Sequence, residues 1–175
     1  PAGGSGCLKR RTVKPTLFLN LDGTCHPREM QYLVLRGHPH AGALHFCWSE
    51  PLRPILEEWD ASIVLRSTAA SMYGVDAIKS LAPEWLRSRI TGATGDVVRY
   101  IALFELRKVN TSFGTVRAYV QQHQVRHWAV LSDDADGWPD VPSVRKHLVQ
   151  VDGDVGLSDP MVAKRLNLAF AECKP

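Results

Sequence analysis

Asn20 and Asp22 stand two residues apart at the end of an apolar run, Thr16-Leu17-Phe18-Leu19, and Gly23-Thr24 follows them. In an extended chain residues i and i+2 project to the same side, so the amide and the carboxylate would face one ligand. Two polar side chains one pleat apart where a buried strand stops, with Gly-Thr beyond, is the layout of a phosphate-transfer centre. Such a centre calls for a carboxylate as nucleophile. The first position holds an amide, so the layout of a catalyst carries a neutralised nucleophile. Taken alone, Asp-Gly is also an ordinary turn dipeptide.

Two other apolar runs break into polar residues in the same way. Ser62-Ile63-Val64-Leu65 ends in Arg66-Ser67-Thr68, and His127 to Leu131 ends in Ser132-Asp133-Asp134. Ser67 and Thr68 could contact a phosphate oxygen or cap the following helix, and the two uses are compatible. Asp133, Asp134 and Asp136 could be a metal-binding strand end or a solvated acidic loop before Gly137-Trp138-Pro139.

The elements that must position these residues follow from periodicity. Leu52, Ile55, Leu56 and Trp59 recur at helical spacing behind Ser49, a candidate cap. Short helical patterns cover Val75 to Ser80 and Pro83 to Ser88. Phe113, Val116 and Val120 form one helical face, and Val162, Leu166, Ala169 and Phe170 form another behind Ser158-Asp159-Pro160. His147 to Val151 reads as a further buried strand. Gly92 and Gly95 mark a turn, and Tyr100 to Leu106 is an apolar stretch of uncertain type. Residues 25–46, with four histidines around Tyr32-Leu33-Val34-Leu35, read as a hairpin or flap. The histidines His26, His38, His40 and His45 match no metal-ligand spacing and belong more simply to that flap. Short apolar strands alternating with helices imply a parallel sheet covered on both faces, whose ligands bind at the carboxyl edge.

Composition sets the outer bounds. At 175 residues, with 45% hydrophobic and 22% charged residues, the chain has the size and make-up of one ordered globular domain. A net charge of +3 gives no case for nucleic acid, and part of it sits in Lys9, Arg10, Arg11 and Lys14. Residues 1–15 read as a flexible lead without the apolar centre of a signal peptide. No run approaches the ~20 apolar residues of a membrane span. Cys7, Cys25, Cys47 and Cys173 are scattered, which points to reduced thiols and a cytoplasmic setting.

Thr16 to Thr24, Ile63 to Thr68 and Trp128 to Asp134 resemble motifs one, two and four of the haloacid dehalogenase-like (HAD) superfamily. The frame Leu-Asp-Gly-Thr-Cys-His-Pro, Phe46-Cys47-Trp48, Leu131-Ser132-Asp133-Asp134 and Gly156-Leu157-Ser158-Asp159-Pro160 is similar to small bacterial HAD-domain proteins without a large cap. The resemblance implies a three-layer α/β/α sandwich, a Rossmann-like HAD fold with a parallel sheet of about five strands and the Asn20 strand at its centre. Residues 16–175 would form that single domain, with 25–46 as its flap.

What the resemblance implies about chemistry is a Mg2+-dependent phosphatase working through an aspartyl-phosphate. Asn20 falls at the nucleophile position and Asp22 at the acid/base position. Ser67, with Thr68 as substitute, would bond a phosphate oxygen. Lys108, with Arg107 as rival, would be the motif-three cation that offsets phosphoryl charge. Mg2+ would be held by Asn20, the Asp22 backbone carbonyl and Asp133, with Asp134 beside them. The partner would be a phosphorylated substrate or ligand. Arg66, Ala69-Ala70 and Ser132 depart from the family's usual residues. Two readings follow: an active-type phosphatase scaffold disabled at its nucleophile, or a non-catalytic pseudoenzyme that binds a phosphorylated ligand or protein partner. A response-regulator receiver fits less well, because it wants an acidic pair at the first strand end.

Overall fold

The computed structural model describes residues 13–38, 41–95 and 111–175. Five short strands form one sheet: β1 (Thr16–Leu19), β2 (Ser62–Leu65), β3 (Ile90–Ala93), β4 (Trp128–Ser132) and β5 (Leu148–Gln150). Their order is β3-β2-β1-β4-β5, and every pairing is parallel. The architecture is the expected α/β, Rossmann-like one, with β1 in the middle. β3 was not foreseen as a strand: Gly92, read as a turn marker, lies inside it and pairs with Val64.

Alternation along the strands explains why both faces are buried. Leu17 and Leu19, Ile63 and Leu65, and Ala129 and Leu131 point into the larger core. The residues between them, Phe18, Val64 and Val130, point into the smaller one. Strands wedged between two layers must be apolar at every position, which is what a parallel sheet demands.

The larger core is closed by α3 (Arg53–Trp59), α4 (Thr68–Tyr73), α5 (Val75–Leu81), α6 (Glu84–Arg87) and α9 (Pro160–Glu172). Leu56, Leu166 and Phe170 are completely buried there, in the helical spacing read from the sequence. Asp159 starts α9 by accepting the Met161 N–H at 2.9 Å, and Pro160 occupies its first turn, where no backbone donor is needed. Ser49 does not cap a helix through its side chain. Its hydroxyl donates to the Phe46 carbonyl at 2.7 Å, and a 3₁₀ turn at Glu50–Leu52 leads into α3. On the other face α7 (Ser112–Gln122) lays Phe113, Val116 and Val120 against Phe18 and Trp138, and Tyr119 meets Phe18 edge-on at 5.5 Å between centroids. A four-residue helix, α8 (Pro142–Arg145), precedes β5.

Residues 25–46 are not a hairpin. They hold two short helices, α1 (Met30–Leu35) and α2 (Ala41–Leu44). The Tyr32-Leu33-Val34-Leu35 run within them is helical and half-exposed, and it pairs with no strand among the described residues. Among the described residues no helix is long and apolar enough to cross a membrane.

Candidate active site

The register of the central strands sets the site. Leu19 pairs with Leu65 on one side and Leu131 on the other. Asn20, Arg66 and Ser132, the next residues along, therefore stand side by side at the carboxyl edge. The Asn20 N–H donates to the Leu131 carbonyl and the Arg66 N–H to the Leu19 carbonyl, at 3.0 and 2.9 Å. Three chain segments thus end at one place, as the sequence pattern implied.

Asn20, Asp22 and Asp133 come together there. The Asn20 amide nitrogen donates to the Asp22 carbonyl at 2.9 Å and to Asp133 Oδ1 at 2.8 Å. Gly23 makes this approach possible. It adopts a left-handed φ of +70°, and a Cβ on it would meet Asp133 Oδ2 at 2.6 Å.

The Asp22 carboxylate faces elsewhere than simple strand alternation suggests. The chain turns at Asp22, with Cys25 N–H donating to the Leu21 carbonyl, and the carboxylate meets the start of the flap. Asp22 Oδ1 accepts the backbone N–H of Gln31 at 3.0 Å and lies 3.2 Å from His26 Nε2. His26 is wholly buried, and its Nδ1 accepts the Phe46 N–H, so Nε2 carries the proton and donates to Asp22. Asp22 Oδ2 takes no hydrogen bond among the described residues.

His26 is therefore a buried pillar beneath Asp22. Replacing it with alanine empties a buried site, orphans the Phe46 N–H and frees Asp22. We expect His26→Ala to cost about 3 kcal/mol, measured by urea denaturation.

His45 extends this cluster, with Nε2 2.8 Å from Gln31 Oε1 and its ring 4.9 Å from that of His26. Burial, and then the neighbouring His26, push its pKa down to about 4. The unfolded chain, where the ring titrates near 6.5, takes up the proton first as the pH falls. Stability from neutral His45 is thus complete above about pH 6.5 and is lost as the pH drops through about 4. The ring is only half-buried, so solvent screening holds the effect to the order of 1 kcal/mol. Urea midpoints of the His45→Gln variant should fall less between pH 7 and pH 4.5 than those of the unsubstituted protein.

The remaining residues divide in a way the sequence did not foresee. Asp134, expected beside the metal, is committed to Arg66: one oxygen pairs with that guanidinium, and the other accepts the Asp136 N–H at 2.8 Å. Arg66 also donates to the buried Ser132 hydroxyl at 3.1 Å. The two departures from the family pattern, Arg66 and Ser132, thus build one local network. Ser67 caps α4, accepting the Ala69 N–H at 3.2 Å, and Thr68 is the exposed first residue of that helix. Lys108 and Arg107 lie outside the described residues.

Arg28 was missed altogether. Its Nε lies 3.4 Å from Asp133 Oδ2, and its guanidinium lies over Gly153, in space a Cβ there would fill. A lone arginine six residues past Asp22 gives no periodic signal. Only the meeting of the first loop with the Gly153 loop shows it. Cys25 is buried below Asn20, and that burial, with Asp22 nearby, pushes its thiol pKa up and leaves it inert.

The oxygen set at hand suits a hard cation. A backbone carbonyl, a carboxylate and an oxygen from residue 20 are the ligands magnesium prefers. The Asp22 carbonyl and Asp133 meet that need as they stand, and Asn20 meets it once its amide turns its oxygen inward. Among the described residues no three His, Cys, Asp or Glu side chains converge on one point. Magnesium here would rely on the carbonyl and on residue 20.

The sequence profile of a family described as the HAD domain in Swiss Army Knife RNA repair proteins matches residues 16–162. The chain belongs to this family. The match runs from the start of β1 into α9 and includes all three strand ends of the site. No curated protein and no solved structure matches the chain. Asn20, Asp22, Ser67 and Asp133 all fall within the part of the chain that matches this HAD domain.

Proposed function

We propose that the domain is a magnesium-dependent phosphomonoester hydrolase scaffold whose turnover is suppressed by Asn20. The convergence of Asn20, the Asp22 carbonyl and Asp133 within hydrogen-bonding distance carries this reading. Magnesium held by Asp133, the Asp22 carbonyl and an oxygen of residue 20 would supply charge neutralisation for the incoming phosphate.

The protein's own groups do the rest. With aspartate at position 20, its carboxylate attacks phosphorus, and the bond from phosphorus to the leaving oxygen breaks. Asp22, held through Oδ1 by His26 and Gln31, passes a proton from Oδ2 to that oxygen. It then takes one from the water that hydrolyses the aspartyl-phosphate. With asparagine, neither the charge nor a stable acyl-phosphate is available, and the sequence stops before its first step.

The family's RNA-repair setting makes phosphorylated RNA ends the first substrate class to test. The experiment compares the unsubstituted chain with Asn20→Asp on an aryl phosphate and on RNA oligonucleotides phosphorylated at either end, with and without magnesium. Magnesium-dependent release of phosphate by the variant alone supports the reading, and no release by either sinks it. A second reading, a non-catalytic module that binds phosphorylated ligands, draws on how fully Asn20 satisfies its neighbours. Calorimetry with the same oligonucleotides and the unsubstituted chain tests it: binding without turnover is its signature.

A further inference from the structure

We propose that the Asn20 amide takes the place of the divalent ion, so that this chain keeps its site assembled without magnesium. The inference rests on the reading of the site as a magnesium cradle and adds a consequence of Asn20 beyond the lost nucleophile.

The two oxygens that would hold the ion are already satisfied. The Asn20 amide nitrogen bridges the Asp22 carbonyl and Asp133 Oδ1 with donors at 2.9 and 2.8 Å. Arg28 covers the other oxygen of Asp133, with Nε at 3.4 Å. For magnesium to enter, the amide must turn its oxygen towards two acceptors, and both hydrogen bonds are lost. An ion then gains a neutral oxygen ligand and gives up the field of a carboxylate.

Aspartate at position 20 reverses the balance. Its carboxylate would face the Asp22 carbonyl and Asp133 with no proton between them, three oxygens around a gap that only a cation relieves. Asp22, Asp133 and Asp134 against Arg28 and Arg66 leave one net negative charge, and aspartate would make it two. The amide therefore converts a site that requires a cation into one that holds itself together.

The test uses the full chain, Asn20→Asp and Asn20→Ala, each stripped of metal and titrated with magnesium chloride by calorimetry and thermal unfolding. The unsubstituted chain should bind magnesium at least ~10-fold more weakly than Asn20→Asp. Without metal, Asn20→Asp and Asn20→Ala should both melt lower than the unsubstituted chain, by about 4 °C or more. Magnesium should raise the melting point of Asn20→Asp alone. Magnesium binding by the unsubstituted chain within tenfold of Asn20→Asp overturns the inference and leaves the cradle reading intact. An Asn20→Ala protein as stable as the unsubstituted chain overturns it too. Absence of binding by Asn20→Asp overturns the cradle reading, and the inference with it.

Discussion

Asn20→Asp is expected to raise magnesium-dependent hydrolysis of an aryl phosphate by at least ~10³-fold over the unsubstituted chain, the scale on which removing a nucleophile from a preassembled site acts. The estimate follows from how little else must change. Asn20 and aspartate have the same shape, and the strand register that delivers residue 20 to the carboxyl edge is set by backbone bonds on both sides. Asp22 is already fixed through Oδ1 by His26 and the Gln31 N–H, and its Oδ2 takes no hydrogen bond among the described residues. Asp133 is in place, with the largely exposed Arg28 3.4 Å from its Oδ2. Preassembled groups of this kind supply most of a catalytic advantage, because they need no reorganisation when charge develops. The control is Asn20→Asp combined with Asp22→Asn, which should return the rate to that of the unsubstituted chain. A steady-state phosphate-release assay reads both. Equal rates for the two variants would mean that the acid/base role assigned to Asp22 is misplaced.

Much of this site could be read in the sequence because parallel α/β folds write their chemistry at strand ends. Leu17-Phe18-Leu19, Ile63-Val64-Leu65 and Ala129-Val130-Leu131 are continuous apolar triplets, a pattern imposed by burial on both faces, and each breaks into polar residues at the edge where ligands bind. The meeting of Asn20, the Asp22 carbonyl and Asp133 was legible for that reason, whereas the Asp22 carboxylate turns to His26 and Gln31. What the chain concealed depends on how loops meet. Arg28 reaches Asp133 because the loop after β1 packs on Gly153, 125 residues further on. Asp134 looked like a metal ligand by type and position, yet Arg66, itself anomalous in the sequence, draws it away. β3 was hidden by its Gly92, since a glycine inside a short strand carries the same letter as a turn. In the flap, Tyr32-Leu33-Val34-Leu35 has the composition of a strand, but it pairs with no strand among the described residues, and local hydrogen bonds wind it into α1 instead.

Gly156→Ala should be a severely damaging single-methyl change, costing about 3 kcal/mol or more and lowering the melting point by roughly 8 °C. Two separate penalties combine. Gly156 has a φ of +53°, a left-handed conformation that a Cβ resists. The added Cβ would also stand 2.5 Å from the Thr24 carbonyl oxygen and 2.7 Å from Trp48 Cε3. The carbonyl cannot retreat, because it already accepts the Leu157 N–H at 2.9 Å, and this bond ties the loop before α9 to the Gly23-Thr24 turn. Gly37→Ala separates the two penalties: its φ is +70°, but open space surrounds the new methyl, so only the conformational part, about 1 kcal/mol, should appear. Thermal unfolding of both variants gives the comparison. Equal losses would show that the loop before α9 yields to the methyl and does not brace the turn. If Gly156→Ala is far worse, the loop is a rigid support. In that case the same substitution in the Asn20→Asp protein should also slow phosphate release, because Gly23 and Asp133 touch across that turn.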